Sequence, residues 1–186
     1  MSEEAPRVPP KGVFVPSPTF FKPIAEGQDP ARPAVDTETQ VRHSIFLARS
    51  GVTGIAILGS TGEAVHLSRA ERRGLVAAVR RGLDAAGFAD YPLMGGVLTS
   101  GGLDETAEWL RDHAEAGAQW GLVLCPGYFG AAVTQQNIVD WYAAVAAASP
   151  IPILVYNYPG VTNNVDVLPE TYRALAKNPK IVGCKM

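Results

Sequence analysis

Three short stretches carry residue types that could do chemistry: "GSTGE" at 59–63, "VYNYPG" at 155–160 and "IVGCKM" at 181–186. In the last of these, Lys185 follows an apolar run. Two readings fit it: a surface charge that ends a strand, or a nucleophilic amine. Burial disfavours the charged form of a lysine and lowers its pKa. The neutral amine then attacks a ketone to form an imine. The positive charge of that imine is an electron sink for making or breaking a neighbouring carbon–carbon bond. Alternation along a strand puts Gly183 on the face of Lys185, and its missing side chain leaves room beside the amine.

In "GSTGE", Gly59 and Gly62 flank Ser60 and Thr61, so backbone amides and two hydroxyls can converge on one small anion, a carboxylate or a phosphate. A glycine turn followed by a helix cap is the plainer reading. In "VYNYPG", alternation puts Leu154, Tyr156 and Tyr158 on one face and Ile153 and Val155 on the other. A buried tyrosine hydroxyl needs a polar partner, and the hydroxyls of "GST" could supply it; simple packing is the alternative.

These stretches sit at the ends of strand-like runs. Candidate strands cover 12–21, 54–60, 91–98, 120–126, 152–159 and 181–185, most of them nearly continuous apolar runs of the kind found in parallel sheets covered on both sides. Helical patterns lie between them. Asp36 reads as a cap for the helix that closes on Gly51, and Ser68 with Glu71 forms a capping box for the one that closes on Gly87. Patterns from Leu103, Thr134 and Leu168 follow, the last with Pro169 near its start. Strict βα alternation allows an open doubly wound sheet or a (β/α)8 barrel. No strand runs into G-x-G-x-x-G or a Walker loop, and the polar residues gather at the C-terminal ends of several strands, where barrels keep their chemistry. The expected fold class is α/β, a (β/α)8 TIM barrel represented by six βα strands. The chain has 186 residues, whereas such barrels take about 250. Residues 1–11 read as a flexible leader and 12–186 as the incomplete barrel.

A formal net charge of −2 makes no electrostatic case for nucleic acid or an anionic membrane. No apolar run approaches the roughly 18 residues of a membrane span. Cys125 and Cys184 lie in apolar runs without C-x-x-C spacing, which fits a reducing compartment and argues against disulfide or zinc frameworks; the cytosol is the expected location. Arg72-Arg73 and Arg80-Arg81 read as a solvated helix face. His43, His66 and His113 read as surface or capping residues, and Trp109, Trp120 and Trp141 as packing between helices and barrel.

Taken together, "GSTGE", "YNYPG" and "GCK" at successive strand ends resemble the dihydrodipicolinate synthase and N-acetylneuraminate lyase family of pyruvate-handling class I aldolases. The resemblance runs over nearly the whole chain from residue 12. It implies that Lys185 is the Schiff-base lysine, Tyr156 the proton shuttle, Ser60 the hydroxyl linking that tyrosine into a relay, and Thr61 the binder of the pyruvate carboxylate beside Gly59 and Gly62. Tyr128 in "CPGYFG" matches a relay tyrosine that some members supply across a dimer contact, although Gly127 replaces the adjacent aromatic. The implied partner is a 2-oxo acid, with no cofactor, since the imine supplies the electron sink. The implied assembly is a homo-oligomer, a tetramer or dimer. One departure bears on substrate: dihydrodipicolinate synthases usually carry an arginine two residues after the proline of Y-N-x-P, and here Val161 stands there. Valine cannot replace a bidentate carboxylate clamp. The expected activity is therefore cleavage of a 2-oxo acid to pyruvate, as in 4-hydroxy-2-oxoglutarate or 2-keto-3-deoxy sugar acid aldolases. The alternatives are 4-hydroxy-tetrahydrodipicolinate synthase, a non-catalytic truncated product, or a phosphate-binding barrel.

Overall fold

The computed structural model describes residues 7–27, 29–99 and 101–186; residues 1–6 of the segment read as a leader lie outside them. Six parallel strands form one sheet in chain order: β1 (Phe14–Pro16), β2 (Gly54–Ile57), β3 (Leu93–Val97), β4 (Trp120–Leu124), β5 (Ile153–Tyr156) and β6 (Ile181–Lys185). Helices α1 (Thr37–Arg49), α2 (Arg69–Ala85), α3 (Leu103–Glu115), α4 (Gln135–Ala148) and α5 (Pro169–Leu175) fill the crossovers. This is the βα succession of a barrel, curled through six of its strands.

Alternation gives the sheet two apolar faces. One carries Ala56, Met94, Leu122, Leu154 and Tyr156 and looks into the barrel. The other carries Ile55, Ile57, Leu93, Val123, Ile153 and Val155 and packs beneath the helices. Trp120 belongs to the inner face, fully buried, so it fills the barrel and does not lie between barrel and helices. Its indole N–H donates to the Arg7 carbonyl at 2.7 Å, which draws residues 7–11 against the barrel interior beside Leu122 and Leu154.

The first strand is shorter than its apolar run. Pro16 and Pro18 bring no N–H to the ladder, and pairing with β2 stops at Pro16; Phe21 instead makes an antiparallel bridge to Val35. Helix starts follow the sequence closely. Ser68 and Glu71 close a reciprocal capping box, and Asp36 accepts from the Thr39 amide at 3.0 Å. Each cap contributes about 1 kcal/mol, whereas burying one Leu or Val contributes roughly 1.5–3. With Leu75, Val76, Val79 and Leu83 all buried, packing decides where α2 sits and the cap decides where it begins.

The arginine doublets are not a uniform solvated face. The Arg72 guanidinium lies 3.5 Å from the Trp109 ring centroid, and Arg80 donates to the carbonyls of Tyr91 and Phe88. Arg69 and Arg73 reach across to Asp112 on α3. His113 is likewise no surface residue. It is buried and donates from Nε2 to the Gly96 carbonyl at 2.9 Å. Gly95 makes that approach possible, because a Cβ there would stand 2.6 Å from the imidazole Cδ2.

Candidate active site

β2 ends abruptly. Leu58, fully buried, takes a left-handed backbone with φ of 59°, a strained conformation for a branched residue. The chain then turns through Gly59–Glu63, with the Gly62 amide bonded to the Gly59 carbonyl and the Glu63 amide to the Ser60 carbonyl. Gly62 is required here: a Cβ would lie 2.9 Å from the Leu58 nitrogen. Buried Thr19 holds the turn from below, donating to the Gly62 carbonyl at 2.6 Å. The consequence is that Ser60 and Thr61 project beyond the strand end.

Tyr156 ends β5 on the inner face and is 3% exposed. Its hydroxyl lies 3.0 Å from Ser60 Oγ, so the partner sought from the "GST" stretch is Ser60. Parallel pairing sets Lys185 of β6 opposite Tyr156, and Lys185 Nζ lies 4.0 Å from the centre of the Tyr156 ring, within cation–π range. Gly183 pairs with Leu154, and a Cβ there would stand 3.2 Å from Leu154 Cδ2, so Leu154 takes up part of the room expected beside Lys185. Ser60, Thr61, Tyr156, Asn157, Tyr158, Lys185 and Met186 line one cavity of about 520 Å³. Three strand ends thus bring a primary amine, a phenol and an aliphatic hydroxyl into one row, with a second hydroxyl alongside.

Tyr128 is not in that row. It is 71% exposed, edge-on to Phe129, and lines a neighbouring cavity of about 410 Å³ that also touches Ser60. Gly59 and Gly62 shape the turn. Two residues had been given no role. Asn157 donates its backbone amide to the Lys185 carbonyl at 2.9 Å and its side-chain amide to Asp166 at 2.5 Å, tying the ends of β5 and β6 to the following loop. Thr19 is the other. Asn157 was within a quoted motif, whereas Thr19 is an unremarkable threonine until the chain brings it 43 positions along to Gly62. Behind the row, burial pushes the Cys125 thiol up to about 12, which makes it packing and not a nucleophile.

A parallel βα-barrel sheet that presents amine, phenol and hydroxyl at its C-terminal strand ends belongs to the class of (β/α)-barrel proteins whose polar residues gather on that face. Within that class the chain belongs to the dihydrodipicolinate synthetase family, whose sequence model matches residues 31–186. It is 41% identical over 175 residues to a protein of Emericella nidulans that carries the name 4-hydroxy-2-oxoglutarate aldolase, mitochondrial; the match covers 94% of this chain and 54% of that protein. It is 40% identical to the L-threo-3-deoxy-hexylosonate aldolase of Hypocrea jecorina, over 97% of this chain and 55% of the relative. Among solved structures, a dihydrodipicolinate synthase family protein from Coccidioides immitis superposes with a TM-score of 0.81 at 35% identity, covering 98% of this chain and 54% of that one. The chain spans about half the length of the relatives it matches. Among the described residues, no helix is long and apolar enough to cross a membrane.

Proposed function

We propose that this chain carries the imine-forming half of a Schiff-base aldolase that makes or breaks a carbon–carbon bond in 2-oxo acids, with pyruvate as product or substrate. The observation that carries the reading is the row of Lys185 Nζ, the Tyr156 ring 4.0 Å away and Ser60 Oγ 3.0 Å from the phenol. Lys185 Nζ attacks C2 of the oxo acid through its lone pair; the oxo oxygen leaves as water and an iminium remains. In the cleavage direction the proton of the C4 hydroxyl passes to the Tyr156 oxygen, and the C3–C4 bond breaks. Its electron pair moves to the iminium, giving an enamine and a free aldehyde. Protonation at C3 and hydrolysis release pyruvate and restore the amine. Ser60 relays protons to and from Tyr156. The exposed hydroxyl of Thr61 and its backbone amide receive the substrate carboxylate.

Val161, half-exposed on the wall of the neighbouring cavity, favours substrates such as 4-hydroxy-2-oxoglutarate or 2-keto-3-deoxy sugar acids over the lysine-biosynthetic condensation, in line with the names of the two fungal relatives. Tyr128 and Phe129, 71% and 75% exposed, would be covered in a homo-oligomer, where Tyr128 would join the relay of a second subunit. On location, the cytosol expected from the sequence stands against the mitochondrial name of one relative, and imaging of the tagged protein distinguishes the two. The test of the chemistry is reduction with borohydride in the presence of pyruvate. A stable pyruvate-derived mass appears at Lys185. No label, or label at another lysine, rejects the assignment.

A further inference from the structure

Asn163 has no role in the chemistry above, yet it joins two loops of the site. We propose that Asn163 is a positioning residue for the acceptor aldehyde: its side-chain amide fixes the backbone of Gly127 and Tyr128 and so holds the wall that Tyr128 gives to the cavity beside Ser60. This rests on the aldolase reading and adds the residue that sets the acceptor side.

The contact has two matched halves. Asn163 Nδ2 donates to the Gly127 carbonyl at 3.0 Å and to the Tyr128 carbonyl at 3.3 Å, using both hydrogens of the amide. On the other side, a Cβ at Gly127 would come 2.4 Å from Thr162 Cβ and 2.6 Å from the Thr162 carbonyl oxygen. Glycine at 127 admits the β5–α5 loop, and asparagine at 163 bonds to what glycine admits. Asn163 and Asn164 both have left-handed backbones, with φ of 51° and 62°, a conformation asparagine accepts more readily than most residues.

The loop that carries the clamp is itself stiff. Thr162 Oγ1 lies 3.0 Å from the carbonyls of both Tyr158 and Val165, and the Asn164 amide bonds to the Pro159 carbonyl. Its ends are tied down by Asn157, through Asp166 and through the Lys185 carbonyl. The chain therefore connects the ends of β4, β5 and β6 without touching the amine. Ser60, Leu124, Tyr128, Val161, Thr162 and Asn163 line the cavity of about 410 Å³. With the pyruvate unit held between Thr61 and Lys185, that cavity receives the other fragment.

Two substitutions separate the clamp from the fold. Asn163→Asp keeps size and backbone preference but turns carboxylate oxygens toward two carbonyl oxygens. Asn163→Gly keeps backbone freedom and removes the donor. In both, borohydride trapping of pyruvate on Lys185 proceeds as in the parent protein. In the condensation of pyruvate with glyceraldehyde as probe, KM for the aldehyde rises by roughly 10- to 100-fold, and amide deuterium exchange within residues 126–130 quickens. Unchanged aldehyde KM overturns the positioning role, and unchanged exchange overturns the clamp. Loss of pyruvate trapping in step with the aldehyde effect shows a general structural role and overturns it as well. If Lys185 of the parent protein takes no label, the aldolase reading fails and takes the acceptor assignment with it, while the exchange data still report on the contact.

Discussion

At the scale of residues, the proposed chemistry divides labour between Lys185 as nucleophile and Tyr156 with Ser60 as proton path. Tyr156→Phe keeps the ring beneath Lys185 and deletes the oxygen, so pyruvate trapping persists while kcat falls by roughly 10²-fold or more, the usual range for a lost acid–base group. Steady-state cleavage rates measured beside borohydride labelling check the split. Ser60→Ala leaves the phenol without its hydroxyl partner and lowers kcat less than Tyr156→Phe does. Cys125, whose thiol burial raises to about 12, takes no alkylating label in the folded protein near neutral pH; peptide mass mapping tests this. That Lys185, Tyr156, Ser60 and Thr61 stand at neighbouring strand ends was legible in the sequence, because each ends or follows an apolar run; the roles assigned to them came from the family resemblance of the three motifs. Thr19 was not legible, since a hydroxyl that bonds a distant carbonyl has no periodic signal. Trp120, expected between helices and barrel, lies inside the barrel instead, because it opens β4 on the face that Leu122 shares.

At the scale of elements, α3 is where pH acts. Burial pushes His113 below its ordinary value, partly offset by the bond to the Gly96 carbonyl. The folded state therefore binds fewer protons at this site than the unfolded chain, and stability falls as pH drops through about 6.5 toward the lower folded value. A His113→Gln variant loses that part of the pH dependence as pH falls through about 6.5, measured as Tm against pH. Asp112 has the opposite chemistry. The Arg69 hydrogen bond holds its carboxyl below the usual carboxylate value, so its contribution is present above about pH 4 and disappears as pH falls through the folded value. Because Arg69 is 54% exposed, solvent screens the pair, and Asp112→Asn lowers stability modestly at neutral pH. Denaturant titrations of the two variants at neutral pH, near pH 5 and at pH 3 separate the two groups. The helix starts could be read from Ser68–Glu71 and Pro169, because caps are local. The cross-helix pairing of Arg69 and Arg73 with Asp112 could not, because it depends on how closely α2 and α3 pack.

At the scale of the whole molecule, the sheet is open among the described residues: β1 pairs only with β2, and β6 only with β5. Exposed edges of this kind template pairing with other chains. Residues 1–186 expressed alone are therefore expected to self-associate in a concentration-dependent way and to unfold without a sharp transition, as size-exclusion chromatography and thermal scans would show. A monomer with normal turnover would contradict this. The alternation of strand and helix, the barrel class and the three chemical strand ends were set by the sequence itself. Hydrophobic period and chain order are local properties, and parallel βα units admit few arrangements. Only the tertiary structure decided that Tyr128 lies outside the row of Lys185, Tyr156 and Ser60, and that Gly127 and Asn163 lock two loops together. Those contacts join residues dozens of positions apart, and their distances follow from how the strands register and curl.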